Sequence, residues 1–119
     1  MNLSDSFRSD KQMSADEERM VDDYIFLPLV CMALDHDKKV LDAAPLKFKS
    51  SYQMVMDQAI RKVRADIRAN KNEIFDHHIR MTRMSWLQYD AVMRGQLFHV
   101  QYSRPDANER VNRRIGKYL

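Results

Sequence analysis

Residues 56–84 read MDQAIRKVRADIRANKNEIFDHHIRMTRM, and within them Ile60, Ile67, Ile74 and Met81 recur at intervals of seven. Met56, Val63, Asn70, His77 and Met84 form a companion row, each three residues after or four before a member of the first. Rows that alternate by three and four line one side of an α-helix, because about 3.6 residues complete a turn. With the first row as heptad position a and the second as d, the pattern predicts one continuous rod of about four heptads, longer than about 40 Å. Its isoleucines are expected to be hidden from water and its arginines to lie outside.

The flanking positions carry sign. Arg64 and Lys71 fall at e, and Asp66 and Glu73 at g. A parallel self-pair would set acids against bases, whereas an antiparallel one would oppose like charges. Phe75 and Ile79 lie outside the seam, so more than one face is covered. The simplest arrangement is an antiparallel helix pair within one chain. The alternative is a homodimer, or another protein partner, held through the same seam: Met56, Ile60, Val63, Ile67, Asn70, Ile74, His77 and Met81. Asn70 either fixes register in that seam or marks a partly exposed stretch of it.

Upstream, Ser14-Ala15-Asp16-Glu17 fits a capping box, and Asp16, Glu17 and Glu18 suit the positive end of a helix dipole. A first long helix follows, with Met20, Tyr24, Leu27, Cys31, Leu34 and Leu41 as its stripe and Val21, Ile25 and Met32 widening it. Pro28 is expected to bend or break it, and Pro45 to end it at about Ala44. The second helix is predicted to start between Pro45 and Ser51. Residues 1–13 are polar and read as a flexible tail, which leaves 14–119 as a single helix-rich domain.

Downstream the period changes to two. Leu87, Tyr89, Ala91 and Met93, then Phe98, Val100 and Tyr102, alternate with their neighbours on either side of Arg94-Gly95. This predicts a β-hairpin near 85–102. The rival reading extends the second helix to Met93 with Gly95 beyond its end, giving an all-α bundle. Ser103-Arg104-Pro105 reads as a break, and Asp106 starts a short basic C-terminal helix with Val111, Ile115 and Leu119 on one face. The predicted class is therefore mainly α with a small β-hairpin (α+β), built on two long antiparallel helices.

Composition agrees. Two glycines and three prolines among 119 residues are too few for a sandwich or barrel. Nine methionines suit an adaptable core or a contact surface. The longest apolar run, Tyr24–Leu34, is shorter than the roughly 20 residues that cross a bilayer, so no membrane association is expected. One cysteine forms no internal disulfide and no paired metal motif, which suits a cytoplasmic location.

Charge is divided along the chain. Residues 1–42 carry ten acids against five bases, and residues 43–119 carry fifteen bases against seven acids. Either the basic half meets an anionic partner or the acidic half lies on it. The candidate nucleic-acid residues are Arg61, Lys62, Arg64, Arg68 and Lys71 on the second helix, Arg94 at the hairpin tip, and Arg110, Arg113, Arg114 and Lys117 on the last helix. None of the named DNA- or RNA-binding signatures accompanies them.

No catalytic constellation emerges. Cys31 sits in the apolar run, where a thiol behaves as a small hydrophobe. His36, Glu73 and His77 have ligand-type side chains, but neither HExxH nor the paired ExxH pattern is present. No glycine-rich phosphate loop is present, which excludes a P-loop or dinucleotide site; with these patterns absent, no cofactor, metal or small-molecule substrate is expected. The expectation is a small non-enzymatic regulatory or adaptor protein acting by protein contact, with nucleic-acid association as the alternative.

Overall fold

In the computed structural model, residues 12–119 are described. The chain forms α1 (Ala15–Ala43), α2 (Lys49–Asp76), β1 (Arg80–Ser85), β2 (Gln88–Met93), β3 (Gln96–Gln101) and α3 (Arg104–Tyr118). The class is mainly α with a small antiparallel sheet, as the sequence predicts. The expected tail lies mostly outside the described residues. Its last member, Met13, packs against the core, and the Gln12 carbonyl accepts a 2.8 Å bond from Arg94.

The capping box starts α1. The Ser14 hydroxyl accepts from the Glu17 amide at 3.1 Å, and the Glu17 carboxylate accepts from the Ser14 amide at 2.8 Å. α1 then runs through Pro28 without division. Pro28 is exposed, so its ring does not collide with a packed neighbour. α2 folds back antiparallel on α1. Arg19 meets Glu73 at 2.7 Å, Lys38 meets Asp57 at 2.5 Å, and Gln53 donates to Asp42 at 2.7 Å. The seam therefore closes inside the chain: Ile60, Val63 and Ala59 are buried with Leu27, Val30 and Leu34, and Met56 and Ile67 pack beside them.

Asn70 is buried in that seam and donates to the Met20 carbonyl of α1 at 2.9 Å. The partly exposed reading of Asn70 is overturned, since the amide ties the two helices at a defined step. The stripe of α1 also needs correction. Phe26 and Val30 are fully buried although they lie off it, and Met32 is 65% exposed. α1 is enclosed on three sides near its start, by α2, the sheet and α3, so burial there follows no single stripe.

The predicted rod to Met84 ends early, at Asp76. His77 closes the helix, and His78 turns left-handed at φ 54°. The Ile79 amide reaches back to the Ile74 carbonyl at 3.0 Å and the His78 amide to Phe75 at 3.0 Å. These are the two bonds of a Schellman motif, completed by Ile74 and Ile79 in one apolar cluster. Met81 and Met84 continue the seven-residue spacing only by coincidence; they stand on β1, and Met84 is exposed. His78 holds a conformation that favours glycine, so His78→Gly is expected to stabilise the fold by about 1 kcal/mol in urea denaturation.

The sheet has order β1-β2-β3, all antiparallel. The predicted hairpin is β2–β3. Both turn residues have positive φ, Arg94 at 54° and Gly95 at 71°, which is a type I′ turn. The third strand, β1, carries almost no burial alternation, so period-two reading missed it. Met81, Ala91, Met93, Phe98 and Val100 face α1 and join Val21 and Ile25 in the larger core cluster. α3 begins earlier than predicted. The Ser103 hydroxyl caps it by accepting from the Asp106 amide at 3.3 Å, and Pro105 sits in the first turn. Pro is tolerated there, where amides have no helical partner. Leu119 is exposed, off the face that Val111 and Ile115 present to the core.

Candidate functional site

Acids of the first half of the chain engage Arg64, Arg94, Arg110 and Arg114 of the basic half. Arg110 of α3 donates to Asp22 of α1 at 3.0 Å and to Asp106 at 3.3 Å. Its guanidinium stands 4.8 Å from the Tyr102 ring centroid. Arg114 reaches Asp23 at 3.4 Å and lies 5.2 Å over the Phe26 ring. Arg113 pairs with Glu109 of its own helix at 2.7 Å. Arg94 pairs with Glu17 at 2.9 Å, and this hydrogen bond holds the Glu17 carboxyl below the usual carboxylate range. Arg64 faces Asp35 at 3.6 Å. Apart from Arg113, these side chains dock the elements to one another.

Tyr102 completes the α1–α3 contact. Its hydroxyl donates to Asp22, and burial followed by that bond pushes the phenol well above its ordinary value of 10.0. Tyr118 is raised for the same reasons, donating to Asp66 at 2.5 Å. A raised folded value means that the contribution is complete below about pH 10 and is lost as pH rises above it. Tyr102→Phe is therefore expected to lower stability by about 1 kcal/mol at neutral pH and to flatten the decline above about pH 10. Urea titrations at stepped pH check this.

What remains outside those pairs is a cationic row on α2. Arg61, Lys62, Arg68 and Lys71 are exposed, and no ion pair to them is found among the described residues. Arg61, Arg64, Arg68 and Lys71 follow one another by steps of three and four on one flank of the helix. α3 is seated on the other flank, where Arg114 and Lys117 line a groove with Asp66 and Glu73. The two basic rows that the sequence predicts are thus not joined into one open face.

The ligand-type residues are dispersed. Glu73 is engaged by Arg19, His77 closes the end of α2, and His36 stands beside Asp37 on α1. Among the described residues, no group of three or more His, Cys, Asp or Glu is placed to hold a metal ion. The Cys31 thiol is half-buried and contacts Asp35 at 3.7 Å. No helix among the described residues is long and apolar enough to cross a membrane.

A different surface stands out at the far end of the helical hairpin. Residues 35–58 contain no buried position. This end forms an arm on a molecule 61 Å long and 29 by 28 Å across. It bears Val40, Leu46, Phe48, Tyr52, Met54 and Val55, all large, apolar and exposed. Their signal was present in the sequence, since Phe48, Tyr52 and Val55 follow steps of four and three. The heptad rows begin only at Met56, so these residues lie outside them. Nothing covers them among the described residues, and isolated exposed apolar residues are ordinary whereas a cluster marks a contact surface.

Residues 12–119 match the family model described as YhjD protein. No curated protein and no solved structure matches the chain.

Proposed function

The chain belongs to the YhjD protein family, and on that footing we propose that it is a small non-enzymatic adaptor or regulator that works by protein contact through the arm. The observation that carries this reading is the run of six large apolar side chains exposed between Val40 and Val55, with no buried residue among their neighbours. The heptad seam, the first candidate surface, is spent on α1. Contact therefore falls to the outward residues of the same two helices. One half-buried thiol with no disulfide partner supports a reducing, cytoplasmic setting.

The test compares the wild-type chain with Phe48→Ser/Val55→Ser as bait for quantitative capture of proteins from the producing cell, with sedimentation of both chains alone. At least one captured protein, or the chain itself as a dimer, is expected to fall about tenfold with the variant. Thermal melting is expected not to fall, because both side chains are exposed and serine is a favoured residue at position 48, the N-cap of α2. Equal capture by both baits defeats the proposal.

A second reading rests on the unpaired row Arg61, Lys62, Arg68 and Lys71, which suits a phosphate backbone. It takes the lead if heparin retention is lost in Arg61→Gln/Arg68→Gln/Lys71→Gln while the arm variant captures as wild type does.

A further inference from the structure

The two edges of the sheet are unlike. β1 carries Arg80 and Arg83, charges that discourage a further strand from pairing. β3, QLFHVQ, bears no acid and no base except His99, which is engaged by Asp90 at 2.6 Å. Met93 pairs with Gln96 next to the two-residue turn, so the bonded pairs run Met93/Gln96, Ala91/Phe98 and Tyr89/Val100. The amides and carbonyls of Leu97, His99 and Gln101 consequently point away from β2. Among the described residues they make no backbone bond outside the sheet.

A crevice of about 350 Å³ runs beside this edge. It touches His99 and Gln101 as well as Val100, residues of opposite facing, which places it at the margin of the sheet rather than on one face. Its far side is the start of α1 and the residue before its cap, where half-buried Met13 supplies apolar surface, while Val21 beside it is buried in the core. Asp22 and Arg110 also line it, but they neutralise each other at 3.0 Å. Glu18 differs: its carboxylate has no ion pair or side-chain hydrogen bond among the described residues.

We infer that this crevice takes an extended peptide segment of another protein, added as a fourth strand along β3. The backbone of Leu97, His99 and Gln101 supplies the ladder. Met13 receives an apolar side chain, and Glu18 receives a lysine or arginine of the incoming segment. The occupant is a basic-apolar alternating strand. This site is separate from the arm, and each stands or falls without the other.

The experiment selects a displayed library of random decapeptides on the full chain, then titrates the best synthetic peptide by NMR. The selected peptides are expected to alternate apolar residues with a lysine or arginine. Amide shifts are expected to concentrate at residues 97–101 and 18–22. Leu97→Pro removes one outward amide and leaves the β2–β3 bonds in place, and binding should weaken about tenfold. Methylating alternate amides of the peptide should give the same loss with the protein untouched. Glu18→Lys should change the selected peptides from basic to acidic. Failure to enrich any peptide overturns the inference, as does binding indifferent to both amide methylation and Glu18→Lys. A dimer abolished by Leu97→Pro, with no peptide selected, would make a second copy the occupant and overturn it equally.

Discussion

Phe26→Ala is expected to lower stability by about 3–5 kcal/mol, a large part of what holds a domain of this size folded. Phe26 is fully buried. Its ring meets Tyr102 edge-on with centroids 4.8 Å apart, and Arg110 and Arg114 stand over it at 5.9 and 5.2 Å. Removing the ring opens a cavity where α1, α3 and the end of β3 converge. It also withdraws the surface on which two α3 arginines rest, so loss of helix signal should accompany the loss of stability. Phe75→Ala is the matched control. Phe75 is 79% exposed, and its truncation should fall within about 0.5 kcal/mol of wild type. Urea denaturation followed by circular dichroism reads both. A shift at Phe26 as small as that at Phe75 would contradict the packing described.

Asn70→Asp is expected to cost about 3 kcal/mol at neutral pH, with a pH dependence that the wild-type residue lacks. The substitution preserves shape, but places a carboxylate oxygen against the Met20 carbonyl where an amide donated at 2.9 Å. A protonated aspartic acid can donate to that carbonyl; an ionised one cannot. Burial and the facing carbonyl therefore raise its folded pKa above the unfolded value of about 3.9. With the folded value raised, stability is retained below about pH 4 and is lost as pH rises through the raised value. Asn70→Leu, which removes the polar group without stranding a charge, should stay within about 1.5 kcal/mol of wild type. Denaturation midpoints between pH 3 and 8 distinguish the three chains. A pH-independent Asn70→Asp would place residue 70 in contact with water.

These two positions show what was legible in the sequence. The antiparallel pair could be read because Ile60, Val63, Ile67 and Ile74 repeat along one side of α2, and because Ser14 and Glu17 announce where α1 begins. The hairpin could be read because Tyr89, Ala91, Met93, Phe98 and Val100 alternate about a residue pair able to turn. The end of α2 could not. His78 adopts a left-handed conformation for which glycine is the usual signal, while Met81 and Met84 prolong the heptad spacing into a strand. Nor could the burial of Phe26, which depends on α3 packing from a site 80 residues further on. The basic clusters were visible as residues, but their partners were not. Only the fold brings Asp22 to Arg110 and Glu17 to Arg94, turning part of an apparent binding patch into an internal fastening. The arm is marked in the sequence by Phe48, Tyr52 and Val55, which carry helical spacing back to the start of α2 but stand outside the heptad rows.

The division between an enclosed base and a two-helix arm also sets a gradient of rigidity. Backbone amides near Val21, Phe26 and Ile74 can exchange with solvent only when the whole domain opens, whereas those between Asp35 and Gln58 require no more than parting of the hairpin tip. Exchange is expected to be fastest at the turn and to slow steadily towards the sheet. The two-helix arm is thus the part of the molecule expected to change shape without unfolding the rest.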